Sequence, residues 1–238
     1  MQTVDFLRFG IQSGDTVLDL GCGEGRHTIA AYAEHDVTVI GVDLGFQDLK
    51  TAQQKIADFD EPNNTRKHWL FMQSNGLRLP FADNTFDKIV CSEVLEHVPD
   101  YEGMLREISR VLKPGGHFCA SVPRFWPEWL CWALSDQYHA DEGGHIRIFE
   151  SRRLRQKIES LGFDFHGRHW AHALHSPFWW LRCMLWESQE QSRLVKAYHR
   201  LLVWDLMEQP RLTRIIERGL NPLMGKSVVM YFRKEPAA

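Results

Sequence analysis

The sequence is short of the features that mark membrane, secreted and nucleic-acid-binding proteins. No apolar run approaches the length of a membrane span, and the chain does not open with a basic stretch followed by an apolar one. The five cysteines include no Cys-x-x-Cys pair and form no even framework, so disulfides are not expected. The chain has 28 Lys and Arg against 31 Asp and Glu, which leaves no positive surplus for a nucleic-acid partner. We therefore expect a cytoplasmic protein.

What the sequence does contain is an alternation of apolar runs and amphipathic segments along its 238 residues. This alternation is typical of an α/β protein whose mostly parallel sheet is covered by helices on both faces. Strands are predicted near residues 16–21, 37–43, 67–74, 86–92 and 116–122. A helix near 149–161 precedes two more strands, at 163–169 and 227–232, which would pair as an antiparallel edge. The prediction is one Rossmann-like domain over residues 1–238, with a seven-stranded sheet and an antiparallel last strand.

The most informative motif is a glycine-rich turn after the first predicted strand. Gly21, Cys22 and Gly23 follow that strand directly, and glycines at such a turn let the backbone approach a ligand closely. Asp43 ends the second predicted strand about twenty residues later, where an acid can accept hydrogen bonds from both hydroxyls of a ribose. The pattern indicates a cofactor that contains adenosine.

Two details favour one adenosine cofactor over the others. The loop reads Gly-x-Gly-x-Gly and has Arg26 where a dinucleotide-binding loop carries its last glycine, so a pyrophosphate site is poorly formed. Asp19 is an acid in an otherwise apolar strand, and burying its carboxylate is costly unless a group such as an amine pairs with it. S-adenosylmethionine has an adenosine and an α-amino group but no phosphate.

These residues, with landmarks that follow in order, resemble the class I S-adenosylmethionine-dependent methyltransferases, and most of all the ubiquinone-biosynthesis O-methyltransferases. The landmarks are residues 41–44, 75–81, 86–97 and 112–118. The resemblance implies S-adenosylmethionine as cofactor. It implies contacts from Asp19, Gly21, Cys22 and Gly23 at the methionine end, Asp43 and Leu44 at the ribose, Asn75, Gly76 and Leu77 at the adenine, and Ser92, which closes the pocket. Family members usually carry Asp in place of Asn75, so weaker rather than lost binding is expected.

Two histidines are candidates for a base that removes a proton from a hydroxyl acceptor. His97 follows the fourth predicted strand, at the sheet edge where open α/β folds bind ligands. His145 follows paired glycines, which allow its loop to pass close to a ligand. His97 could instead only cap or orient a loop. No metal is expected, although two sets of side chains offer suitable donors: Glu93, Glu96 and His97, and His139, Asp141, Glu142 and His145.

Two segments lie outside a minimal fold of this kind, at residues 124–147 and 171–225, and are expected to act as a lid or insertion. Eight of the nine tryptophans follow residue 123, and three of them recur at a spacing that gives one helical face: Trp126, Trp129 and Trp132. The net charge is −7 up to residue 123 and +4 beyond it. Such segments suit a lipid-like acceptor or peripheral contact with an anionic bilayer. Simple packing or a homodimer interface is the alternative.

The sequence thus predicts methyl transfer to a hydrophobic, lipid-like small molecule, with oxygen as the expected acceptor atom. Two alternatives belong to other classes. One is an oxidoreductase with an adenosine cofactor, and the other is a non-catalytic cofactor-binding protein that acts through its tryptophan-rich surface. Stabilisation by NADH but not by S-adenosylhomocysteine would indicate the first, whereas cofactor binding without methylation of any acceptor would indicate the second.

Overall fold

The computed structural model describes residues 2–60, 63–140 and 144–236, and its centre is one seven-stranded sheet. The strands are β1 (Thr16–Leu20), β2 (Thr38–Asp43), β3 (His68–Gln73), β4 (Phe86–Ser92), β5 (Leu112–Pro123), β6 (Phe163–Ala171) and β7 (Ser227–Lys234). The helices are α1 (Phe6–Phe9), α2 (Arg26–Glu34), α3 (Phe46–Ile56), α4 (Tyr101–Val111), α5 (Phe125–Leu134), α6 (Asp136–Ala140), α7 (Ser151–Glu159), α8 (His175–Met184), α9 (Arg193–Glu208) and α10 (Arg211–Met224). Two 3₁₀ turns lie at Ala57–Phe59 and Trp186–Ser188.

The strand order is β3-β2-β1-β4-β5-β7-β6, and β7 alone runs antiparallel to its neighbours. The predicted fold class is therefore confirmed, including the antiparallel last strand. One boundary differs, because β5 begins at Leu112 rather than near residue 116. The chain order reverses at β1, which lies between β2 and β4. In open α/β sheets a crevice for ligands opens at the carboxyl ends of the strands at such a reversal.

The sheet is buried on both faces, as its apolar strands require. On one face, α4 and α7 cover a core that includes Leu105, Ile108 and Ile158. On the other face, α1, α2 and α3 bury a second core, which includes Phe9 and Tyr32. The rigid layers leave the strand ends as the place where a ligand can enter.

Helix α4 shows how local sequence positions part of the site. The helix begins after Asp100, whose carboxylate accepts a hydrogen bond from the backbone N–H of Gly103 at 2.8 Å. The buried residues Met104, Leu105, Ile108 and Val111 then recur at helical spacing and face the sheet. Met104, in the first turn, is thereby held against the loop that follows β3.

The segments 124–147 and 171–225 are helical and pack on each other through α5 and α8. Trp126 and Trp180 have ring centroids 5.4 Å apart. The three tryptophans of α5 do not act as one face, because Trp132 stacks on the His139 ring whereas Trp129 is 55% exposed. The predicted helical insertion between the last two strands is confirmed. Residues 141–143 of the first segment lie outside the described residues.

All five cysteines are free and buried, in agreement with their unpaired spacing. Across residues 2–60, 63–140 and 144–236, no helix combines the length and hydropathy that crossing a membrane requires.

Candidate cofactor and acceptor site

A cavity of about 510 Å³ opens at the carboxyl ends of β1, β2 and β4. The structure brings together in its wall eight of the twelve residues predicted from the sequence: Gly21, Gly23, Asp43, Leu44, Asn75, Gly76, Leu77 and His97. Asp19, Cys22, Ser92 and His145 lie outside the wall. The wall also contains Glu93, Val94, Val98, Pro99 and Met104. These five were not predicted as binding residues, although the first two belong to the 86–97 landmark.

The turn after β1 requires glycine for two reasons. Gly21 and Gly23 have φ of 73° and 51°, in the left-handed region that side chains disfavour. A Cβ atom on Gly21 would also meet Cγ2 of Val94 at 2.3 Å. The backbone of this turn therefore lies directly against the loop after β4, and a ligand in the cavity contacts backbone rather than side chains.

Asp43 joins the glycine turn to the end of β2. Its Oδ2 accepts a hydrogen bond from the N–H of Gly23 at 2.7 Å, and its Oδ1 accepts one from the N–H of Gly45 at 2.8 Å. Each carboxylate oxygen can accept a second hydrogen bond. The side chain is thus held rigidly in the cavity wall with acceptor capacity left for two hydroxyls.

Asp19 is buried two residues before the turn. Its Oδ2 accepts hydrogen bonds from the backbone N–H and the hydroxyl of Thr28, at 2.9 and 2.7 Å, but its Oδ1 has no partner among the described residues. Burial raises the pKa of Asp19 to about 6, against the lowering effect of the Thr28 hydrogen bonds. An orphaned, buried carboxylate oxygen beside the turn fits an amino group of a cofactor.

The raised pKa of Asp19 makes a pH-dependent prediction. Because the folded protein binds the proton more tightly than the unfolded chain does, the unliganded protein loses up to about 3 kcal/mol of stability as the pH rises from about 4 to about 6. Asp19→Asn should therefore raise the melting temperature at pH 7, with a gain that shrinks below pH 6 and vanishes near pH 4, while it weakens S-adenosylhomocysteine binding. Thermal melts between pH 4 and 8, with and without the ligand, check both effects. A variant that loses stability at pH 7 and keeps full affinity would contradict the assignment.

The loop after β3 supplies the side of the wall that is predicted to bind adenine. Oδ1 of Asn75 accepts a hydrogen bond from the N–H of Leu77 at 2.9 Å, so one lone pair of this oxygen already closes the turn. A Cβ atom on Gly76 would meet Cε of Met104 at 2.4 Å, which explains the glycine. Leu44 and Leu77 are exposed at the rim of the cavity, where their apolar side chains can cover a flat ring.

Replacing Asn75 by Asp is expected to tighten S-adenosylhomocysteine binding roughly fivefold, because a carboxylate accepts the adenine amino hydrogen bond with the help of its charge. Titration calorimetry at neutral pH measures the change. Gln53→Glu, an equal charge change on the exposed side of α3, is the control and should leave the dissociation constant unaltered. Equal affinities for Asn75→Asp and the natural protein would place the adenine elsewhere.

Ser92 and Cys22 support the wall without forming it. The hydroxyl of Ser92 lies 2.8 Å from the hydroxyl of Ser121, which donates to Oε1 of Glu93, also at 2.8 Å. Ser92, which the sequence predicts to close the pocket, is not in the cavity wall, because its hydroxyl bonds to Ser121 on β5. Glu93 takes that place in the wall, with a positive φ of 58°. Cys22 is buried beside the carbonyl of Gly23.

His145 and His97 meet beside the cavity, with ring centroids 4.9 Å apart. His145 lies outside the cavity wall because a buried partner holds it: its Nδ1 is 2.5 Å from Oε1 of Glu128 on α5. Oε2 of Glu128 accepts a hydrogen bond from the hydroxyl of Tyr138 at 3.2 Å. Burial opposes the charge on Glu128, but hydrogen bonds from His145 and Tyr138 and the charge of Lys226 hold its pKa below the ordinary value.

Glu96 adds a second buried carboxylate to this group. Its Oε1 lies 3.9 Å from Nε2 of His97, and neither carboxylate oxygen has a hydrogen-bond partner within the described ranges. Burial, with the nearby charge of Glu93, raises the pKa of Glu96 well above its usual value. Burial therefore disfavours the charged form of this side chain.

Two groups in the described part of the chain bring three potential metal donors within 4.8 Å of one another. They are Glu96, His97 and His145 beside the cavity, and His172, His175 and Glu217 near the start of α8. The first group joins two residues of one donor set noted in the sequence, Glu96 and His97, with His145 of the other set. Asp141 and Glu142, from the second of those sets, lie outside the described residues.

Comparison with known proteins agrees with this geometry. A family model described as a methyltransferase domain matches residues 18–120. A sterol 24-C-methyltransferase of Aspergillus fumigatus is 33% identical over 154 residues, which cover 65% of this chain and 37% of that protein. A demethylmenaquinone methyltransferase of Listeria monocytogenes is 37% identical over 117 residues, 48% of this chain and 46% of that protein. The chain thus aligns with less than half the length of these relatives.

The fold is shared over the whole chain with a solved structure. A methyltransferase of Methanosarcina mazei superposes with a TM-score of 0.64 at 16% identity, and the match covers 100% of both chains. The match identifies residues 18–120 as a methyltransferase domain, and the shared fold is that of the class I S-adenosylmethionine-dependent methyltransferases, which the motifs of the chain resemble. S-adenosylmethionine is the cofactor of that family.

Proposed function

We propose that the protein transfers the methyl group of S-adenosylmethionine to an oxygen atom of a hydrophobic, lipid-like small molecule. The observation that carries the proposal is the Glu128–His145 pair, which lies next to His97 at the edge of the cofactor cavity. A buried carboxylate that holds one ring nitrogen of a histidine is the usual arrangement of a general base.

In the proposed mechanism, one set of residues binds the cofactor and another set accepts the proton of the acceptor. When bound, S-adenosylmethionine supplies a methyl group on a positively charged sulfur and leaves as S-adenosylhomocysteine. Asp43 would hold its ribose and the unpaired Oδ1 of Asp19 its amino end, beside the glycine turn. Nδ1 of His145 is committed to Glu128, so Nε2 is the atom that takes the hydroxyl proton of the acceptor as the oxygen–methyl bond forms. Glu128 stabilises the resulting positive ring.

The apolar part of the wall supports a hydrophobic acceptor. Val94, Val98, Pro99 and Met104 line the cavity on the side of the loop after β4. The relatives are named for sterols and for demethylmenaquinone, both largely apolar molecules. The sterol enzymes are named as carbon methyltransferases, and oxygen is proposed here because the Glu128–His145 pair suits removal of a hydroxyl proton.

Methyl-labelled S-adenosylmethionine, incubated with the protein and a whole-cell extract, tests the proposal. The extract is then separated into lipid and aqueous fractions, and Asp43→Ala serves as the binding-deficient control. Protein-dependent label in the lipid fraction, released by conditions that cleave methyl ethers or esters, supports methylation of a hydrophobic acceptor at oxygen. Label that resists them indicates carbon, and label in the aqueous fraction overturns the lipid-like acceptor.

The two alternatives from the sequence are separated by ligand binding. S-adenosylhomocysteine is expected to raise the melting temperature and NADH is not, because the turn has Arg26 where a pyrophosphate site needs glycine. Stabilisation by NADH alone would favour the oxidoreductase. Stabilisation by S-adenosylhomocysteine without label in any fraction would favour the non-catalytic binding protein.

A further inference from the structure

Helix α10 is amphipathic, but its polar side faces the protein. Oδ1 of Asn221 accepts a hydrogen bond from the N–H of Ala173 at 3.0 Å, and Oε1 of Glu217 is buried. Apolar residues occupy the opposite side, where Leu212, Ile215 and Leu223 are 67%, 66% and 67% exposed. None of the residues of α10, all of them described, is buried. A surface helix of a water-soluble domain normally has the reverse orientation.

The apolar side of α10 continues onto the tryptophans of α5. Nε1 of Trp126 donates a hydrogen bond to the carbonyl of Leu223 at 3.2 Å, which fixes the indole at the end of α10. The neighbouring Phe125 and Trp129 are also exposed. We name the exposed apolar residues of the two helices the α10 surface: Phe125, Trp126 and Trp129 of α5, and Leu212, Ile215, Ile216 and Leu223 of α10.

The charge around the α10 surface indicates what covers it. Residues 193–224 hold six Lys and Arg but only three Asp and Glu, although the whole chain is acidic. Arg211 and Arg218 lie on α10 itself and are exposed. In a symmetric dimer the same surface meets its own copy, so these arginines would face like charges. An anionic lipid headgroup layer instead matches both the apolar face and the arginines.

We propose that the α10 surface docks the protein on an anionic bilayer. The helix lies flat, with Leu212, Ile215 and Ile216 in the boundary between headgroups and acyl chains, and the indoles of α5 sit at headgroup depth, where tryptophan is enriched. Arg211 and Arg218 contact the headgroups. The proposal concerns location and is independent of the methyl transfer, although Glu128 lies on the same helix as the tryptophans.

Co-sedimentation of the full chain with vesicles tests the docking. Vesicles of phosphatidylcholine mixed with phosphatidylglycerol should bind the protein, and vesicles of phosphatidylcholine alone should bind it several-fold less. The double variant Ile215→Ser, Ile216→Ser should have an affinity for the mixed vesicles that is at least roughly tenfold lower, because two apolar side chains no longer enter the lipid. Arg211→Gln combined with Arg218→Gln should lose most of the preference for anionic vesicles, and high salt should do the same.

Controls separate docking from folding and from catalysis. Leu70→Ser, on the edge strand β3, and Arg152→Gln, on α7, change exposed residues on other elements and should leave vesicle binding unaltered. S-adenosylhomocysteine affinity should be the same in all variants, since none of these residues lines the cofactor cavity. Absence of vesicle binding by the natural chain would overturn the proposal. So would a stable dimer in solution that Ile215→Ser dissociates, which would identify a second copy as the partner.

Discussion

Replacing Asp43 by alanine is expected to weaken S-adenosylhomocysteine binding by at least roughly tenfold. The variant loses acceptors for two ribose hydroxyls, and hydrogen bonds to a charged group are each worth about 1.5–3 kcal/mol. It also releases the N–H groups of Gly23 and Gly45, which Asp43 holds at 2.7 and 2.8 Å, so the glycine turn is no longer fixed in the binding position. Titration calorimetry gives the dissociation constants.

Asp164→Ala, which removes an exposed carboxylate from β6, is the matched control and should bind with natural affinity. Because Asp43 lies in the cavity wall rather than in the core, the melting temperature of the unliganded variant should fall by only a few degrees. An unchanged dissociation constant for Asp43→Ala would remove the ribose from this end of β2.

His145→Ala is expected to lower turnover at neutral pH by roughly 10²- to 10⁴-fold, the usual contribution of a positioned base. Cofactor affinity should stay the same, because His145 lies outside the cavity wall. Glu128→Gln should lower turnover by about tenfold or more, since the ring loses the negative charge that stabilises it after it takes the proton. The rate of label transfer into the natural acceptor fraction, at several acceptor concentrations, separates turnover from acceptor binding.

His68→Ala, on the exposed edge strand β3, controls for the loss of a histidine. His97→Ala tests the other candidate base. His97 lines the cavity and contacts the acceptor whichever histidine is the base, so the two losses of turnover are compared in size. A larger loss in His97→Ala than in His145→Ala would transfer the role of base to His97. Full turnover in both variants would mean that the protein works by positioning alone.

The cofactor half of the site could be predicted because its determinants are local. The glycine turn, Asp43 and the loop from Asn75 to Leu77 each follow a strand directly, and parallel strands bring their carboxyl ends to the same edge. The boundary of β5 was missed at Lys113 to Gly116, where Pro and Gly suggested a turn although the chain already extends.

The acceptor half depends on contacts between distant parts of the sequence. Glu128 precedes His145 by seventeen residues, and the pair forms only because α5 packs against the loop that carries the histidine. The spacing of the two residues does not indicate that they pair. The burial of Glu128, which strengthens its interaction with the His145 ring, depends on the tertiary structure. The orientation of α10 was equally out of reach, because a periodic pattern defines two faces without saying which of them the protein covers.

The pairing of β6 with β7 has a consequence for how this chain can vary. Ala171, the last residue of β6, is the register partner of Ser227, the first residue of β7. The segment with α8, α9 and α10 therefore begins and ends at paired residues of adjacent strands, as the loop of a β-hairpin does. Exchange of this whole segment for a shorter or different one requires no change in strand register. The sheet that carries the site can thus stay constant while the segment from α8 to α10 changes in length and sequence during evolution.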